Sequence, residues 1–228
     1  MAFWEGMWQR GIGKGQAFDA ARVEPAFAKL LQSASDLPKS GRALVPGCGR
    51  GYAVASLARA GFEALGLEIS QTAVGEAAAH LEAEVLPPGS WRVESGDFFA
   101  LKPSQGQFQL IYDCTFLCAI LPDQRQDWAA QMDALLAPDG ELVTLIFPVK
   151  DQPFEGGPPF CMSPELVRGL LEPRGFRPTV LEEVPQELLA RGHFAREWLG
   201  RWRKAPARPP AAAAEGGGAS TSDCCSTA

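Results

Sequence analysis

The ten residues 43–52, ALVPGCGRGY, decide the fold of this chain. A short apolar run at 43–45 predicts a β-strand, and apolar residues that recur at helical spacing from Val54 predict a helix. Between them glycine occupies every second position, at Gly47, Gly49 and Gly51. Because glycine has no Cβ, such a turn lets a ligand approach bare backbone. The helix start that follows offers unpaired N–H groups to polar ligand atoms.

A carboxylate completes this motif. Glu68 follows a second apolar run, residues 64–67, and so lies at the tip of a predicted second strand. In nucleotide-binding α/β folds an acidic residue there binds ribose hydroxyls, which indicates a nucleoside cofactor, NAD or S-adenosylmethionine. The NAD fingerprint requires G-x-G-x-x-G, whereas this turn reads G-x-G-x-G. The variant resembles motif I of class I S-adenosylmethionine-dependent methyltransferases, so a methyltransferase is the favoured interpretation.

The rest of the chain alternates strands and helices, which predicts an α/β fold with a mostly parallel sheet covered by helices on both faces. Seven strands are expected, at residues 42–45, 63–67, 91–94, 108–112, 141–147, 176–184 and 198–203. Helices are expected at 23–31, 51–60, 71–85, 122–136 and from 164 onward. The last strand is expected to insert beside strand five, as is typical of methyltransferases.

Composition limits the classes of function. The chain has 228 residues, 46% of them hydrophobic, which suits one domain, and a net charge of −6 that argues against nucleic-acid binding. The basic stretch 191–208 is interpreted as a solvated final strand and its flank.

Six cysteines without C-x-x-C spacing and two histidines predict no metal site. Without a signal sequence or long apolar run, we expect a cytoplasmic monomer that binds no membrane.

Two terminal segments flank the expected domain at residues 23–204. In residues 1–22, Trp4 and Trp8 are four positions apart and share one helical face. They either pack on the core or form an aromatic lid, which would suit a sulfonium because aromatic faces attract cations. Residues 205–228 are rich in Pro, Ala, Gly and Ser, end near Cys224-Cys225, and are expected to be disordered.

Strand ends supply the remaining candidate residues. Asp97 follows strand three, where a carboxylate either binds an adenine amino group or caps the loop. Asp113 and Cys114 follow strand four, at the edge where ligands of parallel sheets bind. Cys114 has no partner histidine in sequence and is interpreted as a buried thiol, not a nucleophile.

Taken together, several segments resemble the thiol and halide (thiocyanate) methyltransferase branch of the thiopurine S-methyltransferase superfamily. They are W-x-x-x-W at 4–8, F-D-x-x-x-x-x-P at 18–25, R-A-L-V-P-G-C-G at 42–49, G-L-E-I-S at 66–70, G-D-F-F at 96–99, Y-D-C-T-F-L-C-A-I at 112–120, P-D-G-E-L-V-T-L-I-F-P at 138–148, G-G-P-P-F at 156–160 and L-G-R-W-R-K at 199–204.

The resemblance implies S-adenosylmethionine as cofactor and a role for individual residues. The residues implied to bind the cofactor are Trp4, Trp8, Phe18 in place of a third tryptophan, Gly47 at the methionine end, Glu68 at the ribose, Asp97 and Phe98 at the adenine, and Cys114, where plant-type members carry a tyrosine. Asp113 is added to the cofactor-binding residues because it lies at the end of strand four. Arg125 matches an arginine near the substrate.

The implied reaction is in-line displacement at the sulfonium methyl by a small thiol or a soft anion, which needs no strong base. Asp19 and Asp113 are candidates to assist thiol deprotonation, with a structural hydrogen bond as the alternative for each. A thiopurine or metalloid methyltransferase, and a non-catalytic S-adenosylmethionine-binding module, remain the alternative functions.

Overall fold

The computed structural model describes residues 2–152, 154–192 and 195–205, and within them seven strands form one sheet. The strands are β1 Gly41–Pro46, β2 Phe62–Glu68, β3 Trp91–Ser95, β4 Phe108–Cys114, β5 Leu136–Val149, β6 Phe176–Glu183 and β7 Arg196–Lys204. Their order across the sheet is β3-β2-β1-β4-β5-β7-β6. Strands β1 to β5 pair in parallel, and β7 lies antiparallel between β5 and β6. The predicted insertion of the last strand beside strand five is confirmed.

Helices cover both faces of this sheet. The α-helices of the described residues are α1 Ala2–Gln9, α2 Pro25–Ser33, α3 Tyr52–Arg59, α4 Gln71–Glu82, α5 Arg125–Leu135 and α6 Pro164–Leu171. One buried cluster joins α2, α3 and α4 to one face, and a second joins α5 and α6 to the other. The predicted α/β architecture is therefore confirmed, with each face of the sheet buried under its own apolar layer.

Three predicted element boundaries were wrong by three residues or more, for local reasons. The helix predicted at 71–85 ends at Glu82, before the Pro87-Pro88 break. The helix predicted at 122–136 begins as a 3₁₀ turn, Pro122–Gln124, and becomes α-helical at Arg125. Strand five was predicted to start at 141, but Leu136 already pairs with Phe108 and residues 137–140 bulge before pairing resumes at Glu141.

Arg201 in β7 is buried, which corrects the expectation of a solvated final strand at that residue, whereas Arg196 of the same strand is exposed as expected. Arg201 is 5% exposed and donates from Nη2 to the fully buried carboxylate of Glu141, at 3.1 Å. Arg203 donates to the same carboxylate, at 2.7 Å. The guanidinium groups are needed here because an unpaired carboxylate would be costly inside the sheet.

The expectations about the tail, a membrane span and a metal site can be compared with the structure only for the residues that it describes. Residues 206–228, which hold most of the predicted tail with Cys224 and Cys225, lie outside the described residues. In the described ranges no helix is long and apolar enough to cross a membrane. The same ranges contain no group of three or more His, Cys, Asp or Glu side chains that could hold a metal ion.

The first prediction concerns the core beneath α2. Phe27 is completely buried and its ring stacks on Tyr112, with centroids 3.6 Å apart and planes 4° apart. We expect Phe27→Ala to lower the free energy of unfolding by about 3 to 5 kcal/mol, because the cavity forms where α2 meets β4. Urea titration measures this. Val85→Ala, at a residue 94% exposed, is the control and should change stability by less than about 0.5 kcal/mol.

Candidate active site

The glycine turn between β1 and α3 adopts a conformation that only glycine tolerates well. Gly47, Gly49 and Gly51 have φ of +59°, +52° and +81°. A Cβ on Gly47 would lie 2.7 Å from Cδ2 of Phe116, so the turn also passes close to an aromatic ring. The turn is anchored to β2, since the backbone N–H of Cys48 donates to the carbonyl of Leu67 at 3.2 Å. Bare backbone is thus presented at the carboxyl edge of the sheet, as the sequence predicted.

Glu68 lies at the end of β2 and faces this turn. Its carboxylate accepts backbone N–H groups from Gly49 at 3.0 Å, from Ile69 at 2.9 Å and from Ser70 at 3.2 Å. Burial raises the pKa of this carboxyl, although the three N–H groups oppose the rise. A carboxylate has about four acceptor positions, so about one is left for a ligand hydroxyl. Glu68 therefore anchors the turn in addition to being the predicted ribose contact.

An aromatic cap, defined as Trp4, Trp8 and Phe18, covers the turn. The ring of Phe18 meets Trp4 and Trp8 edge to face, with centroids 5.7 Å and 5.6 Å apart. A Cβ on Gly49 would lie 3.7 Å from Cζ2 of Trp8, which places that ring against the turn. Trp8 is only 4% exposed, while Trp4 is half-buried. The three aromatic residues that the sequence singled out thus form one cluster beside the glycines.

Asp97 and Phe98 lie at the end of β3 and differ in exposure. The Asp97 carboxylate is exposed and caps the turn after it by accepting the N–H of Phe99 at 2.9 Å. Phe98 is buried and packs edge to face on Phe116, with centroids 5.1 Å apart. Phe116 therefore lies between the predicted adenine side and the glycine turn. Sequence reasoning missed Phe116, although it belongs to the same strand-end loop as Asp113.

Asp113 and Cys114 are neighbours in sequence but point to opposite faces of the sheet, as successive strand residues do. Asp113 faces α5, is 2% exposed, and accepts Nε1–H of Trp128 at 2.8 Å and N–H of Leu117 at 3.2 Å. Burial raises its pKa to about 6, and these hydrogen bonds limit the rise. The structure places Asp113 as the anchor of the loop after β4, so the structural alternative is favoured over proton transfer.

Cys114 faces α2, within a buried charge cluster that we define as Glu24, Arg191 and Glu197. Nη2 of Arg191 lies 3.0 Å from Oε1 of Glu24 and 3.9 Å from the Cys114 sulfur, and Nη1 lies 3.7 Å from Oε1 of Glu197. Among the described contacts, Nε and Nη1 of Arg191 are buried without a hydrogen-bond partner. Burial raises the pKa of the Cys114 thiol well above its usual value. Sequence reasoning missed this cluster because its members are far apart in the chain.

Asp19 was a candidate proton acceptor, and the structure gives it four donors instead. Its carboxylate takes Nε–H of Arg50 at 2.9 Å, the Tyr52 hydroxyl at 3.1 Å and the N–H groups of Ala21 and Gly15 at 2.7 Å and 3.2 Å. Burial tends to raise the pKa of Asp19, but these hydrogen bonds outweigh it and lower the pKa below the usual value. A carboxylate held in this way is a weak base, so a structural role is favoured.

Arg125 opens α5 on the opposite side of the β4 edge. Its guanidinium carbon lies 5.9 Å from the ring centroid of Phe160, in the G-G-P-P-F loop. Its Nε is buried, and no described residue accepts a hydrogen bond from it. Burial raises the pKa of the Cys118 thiol to about 12, and Asp113 adds to this, while Arg191 and Arg125 both lower it. Two guanidinium groups with unused N–H donors thus flank the end of β4.

Comparison with known proteins decides the family. The model of the family described as "Thiopurine S-methyltransferase (TPMT)" matches residues 1–196. The chain belongs to the thiopurine S-methyltransferase family. Thiocyanate methyltransferase 1 of Brassica oleracea is 39% identical over 201 residues, which cover 88% of this chain and 84% of that protein. The "probable thiol methyltransferase 2" of Arabidopsis thaliana is 39% identical over 203 residues, 89% of this chain and 84% of that protein.

Solved structures agree on the fold. Magnesium protoporphyrin IX methyltransferase of Synechocystis PCC 6803, with bound S-adenosylhomocysteine, superimposes with a TM-score of 0.64 at 18% identity. The match covers 88% of this chain and 94% of that one. The predicted class I methyltransferase fold and the resemblance to the thiopurine S-methyltransferase family are both confirmed. The chain is an S-adenosylmethionine-dependent methyltransferase, and its left-handed glycine turn, Glu68 and aromatic cap fit that cofactor.

The second prediction uses the raised pKa of Asp113. Because its pKa is about 6 in the folded protein against a usual 3.8, the proton stabilises the fold at low pH, and that stabilisation is lost as pH rises through about 6. Asp113→Asn keeps an acceptor for Trp128 and does not titrate. From about pH 4 to about pH 7 the unfolding free energy of wild type should therefore fall relative to the variant, by about 2 kcal/mol. A difference that stays constant across this range would contradict the assignment.

Proposed function

We propose that this methyltransferase transfers the methyl group of S-adenosylmethionine to small sulfur nucleophiles and soft anions. The acceptor class comprises thiols, bisulfide, thiocyanate and halide ions, and the products are methylated acceptors and S-adenosylhomocysteine. Family membership and the names of its relatives in Brassica and Arabidopsis support this proposal. The observation that carries it is electrostatic: Arg125 and Arg191 flank the end of β4 with buried, unpartnered N–H donors.

Arg125 suits an acceptor that is already an anion, because it has no carboxylate partner among the described ion pairs, whereas the charge of Arg191 is shared with Glu24 and Glu197. Guanidinium groups present fixed N–H donors and remain charged at any physiological pH, so they attract thiolate or thiocyanate without a change of protonation. Asp19 and Asp113 are both held by hydrogen bonds from neighbours. A reaction that needs no general base is consistent with these constraints, since a soft anion at neutral pH requires no deprotonation.

When bound, S-adenosylmethionine supplies a methyl group attached to a positively charged sulfur. After transfer of the methyl group, that sulfur is a neutral thioether. We assign the residues of this chain three tasks around that group. The glycine turn and Glu68 bind and orient the cofactor, and the aromatic cap excludes water and faces the cation. Arg125 and Arg191 hold the acceptor anion, and exclusion of water by the aromatic cap would leave that anion weakly solvated and therefore more reactive.

The same burial keeps the protein's own thiols from competing. Cys48, Cys114 and Cys118 lie around the site, and burial is the main reason that the pKa of each is raised. A thiol that stays protonated is a poor nucleophile, because the thiolate is the reactive form. An acceptor that arrives as an anion therefore reacts in preference to these side chains.

The direct test is turnover. Purified protein with S-adenosylmethionine is given iodide, thiocyanate, bisulfide, thiophenol or a thiopurine in separate reactions. Headspace gas chromatography follows volatile methyl products, and S-adenosylhomocysteine release reports each turnover. We expect the small anions and thiols to be methylated. Turnover with the thiopurine alone would replace this acceptor class by the larger one, and cofactor binding without any turnover would favour a binding-only role.

The third prediction separates acceptor binding from cofactor binding. Arg125→Met removes a charge that has no carboxylate partner among the described ion pairs, so the fold should tolerate it. We expect KM for thiocyanate to rise about tenfold, equivalent to about 1.4 kcal/mol, with little change in KM for S-adenosylmethionine. Arg168→Met is the matched control, since Arg168 is exposed and pairs with Glu172 along α6.

At Arg191 the test requires a substitution that keeps the positive charge. Its loss would leave the carboxylates of Glu24 and Glu197 buried without their counter-charge, which is destabilising in itself. Arg191→Lys keeps the charge but loses the forked donors. This variant should raise KM for thiocyanate while its thermal unfolding temperature stays close to that of wild type. Unchanged acceptor kinetics in both arginine variants would rule out the anion-binding role.

A further inference from the structure

Arg50 stands in the middle of the glycine turn, and its side chain reaches into the N-terminal segment, residues 2–22. Although charged, Arg50 is only 7% exposed. It donates from Nε to Asp19 at 2.9 Å, from Nη2 to the carbonyl of Ile12 at 2.6 Å, and from Nη1 to Glu76 of α4. One side chain therefore joins the turn to the loop after α1 and to α4.

The same guanidinium also touches the aromatic cap. The guanidinium carbon of Arg50 lies 5.4 Å from the ring centroid of Trp8, within the range of a cation–π contact. Trp8 in turn lies against Gly49, the residue before Arg50. The position of the cap over the turn and the position of the turn itself are thus set by shared contacts.

Asp19 makes this junction rigid. Its carboxylate takes the Arg50 Nε–H together with the Tyr52 hydroxyl from the first residue of α3 and two N–H groups of its own loop. Because each carboxylate oxygen is used, Asp19 has little freedom to leave Arg50. The ion pair is largely buried, so removal of either partner would leave an uncompensated charge away from water.

A second attachment holds the other end of the segment. Glu5 of α1 accepts the Ser70 hydroxyl at 2.7 Å and both the hydroxyl and the N–H of Thr72, at 2.6 Å and 3.2 Å. These hydrogen bonds, led by the Thr72 hydroxyl, lower the pKa of Glu5 to about 2, so it stays ionised near neutral pH. The backbone N–H of Ser70 also donates to Glu68. Residues 2–22 are therefore fastened beside both elements assigned to the cofactor, the turn and Glu68.

We propose that Arg50 is a positioning residue that couples cofactor binding to closure of residues 2–22 over the site. This inference rests on the proposed function, because it assigns the turn and the cap to S-adenosylmethionine. A ligand that holds the glycine turn in one conformation also holds Arg50, and Arg50 in turn holds the aromatic cap in place. By linkage, a cap that is held in place strengthens ligand binding by the same factor.

The test compares Arg50→Met with wild type in two independent measurements. Isothermal titration calorimetry with S-adenosylhomocysteine should show Kd raised about tenfold, and kcat/KM for S-adenosylmethionine should fall by the same factor while KM for thiocyanate is unchanged. Hydrogen exchange of the ligand-free variant should show faster exchange in residues 10–21. Arg59→Met is the matched control, because Arg59 is half-exposed, pairs with Glu84 and should leave both measurements at wild-type values.

Milder variants keep the inference testable if Arg50→Met folds poorly. Arg50→Lys keeps the charge but not the fork, so its Kd should lie between those of wild type and Arg50→Met. Asp19→Asn should weaken binding, and adding it to Arg50→Met should cause little further loss. Wild-type Kd and exchange rates in Arg50→Met and Asp19→Asn would overturn the inference alone. A wild-type protein that does not bind S-adenosylhomocysteine would overturn the proposed function and this inference with it.

Discussion

The structure depends on a backbone constraint at the end of β1. A turn with positive φ at every second residue can be built readily from glycine alone, and here it brings the chain from the sheet into α3 within five residues. The constraint extends further than the turn. The space above Gly47 is taken by Phe116 and the space above Gly51 by Leu81 of α4, so two other elements are positioned against bare backbone. A side chain at Gly47 would displace the ring of Phe116, and one at Gly51 would require a smaller shift of Leu81.

Buried charged side chains are the second organising feature, and they lie in two groups, one around the glycine turn and one around the end of β4. Around the turn, the carboxylates of Glu68 and Glu5 accept backbone and hydroxyl donors. Around the end of β4, Arg191 lies between Glu24 and Glu197, and Arg125 stands on the other face. Carboxylates thus lie beside the turn, whereas the end of β4 carries a guanidinium shared by two carboxylates and a second guanidinium on the other face.

The sequence predicted the parts of this arrangement that depend on local pattern. The glycine spacing, the acidic residue after β2 and the alternation of apolar segments are all readable within a short window, and the corresponding elements are where they were expected. The contacts of Asp19 could not be read this way, because its partner Arg50 is 31 residues away and looks like a variable position inside the motif. Likewise Glu24 and Arg191 are 167 residues apart, and nothing in either neighbourhood indicates that they pair.

Long-range pairing also explains why the exposure of Arg201, in the basic stretch near the C-terminus, was misjudged. Charged residues on a final strand usually face solvent, but β7 is inserted between β5 and β6, which turns Arg201 inward onto Glu141. The alternation of residues along a strand shows which side chains share a face, but it does not show which strands lie on either side. The topology, which arises from the whole sheet, decided the exposure of these residues.

The insertion of β7 has a consequence for biosynthesis. The glycine turn, Glu68 and the aromatic cap all lie within the first 70 residues, whereas Arg191 and β7 are near the end of the described chain. During synthesis the chain emerges N-terminus first, at about 5–20 residues per second, so the elements assigned to the cofactor leave the ribosome several seconds earlier. Until β7 arrives, β5 has an open edge and Glu24 lacks its counter-charge. The residues assigned to the cofactor therefore leave the ribosome before Arg191, which is proposed to bind the acceptor.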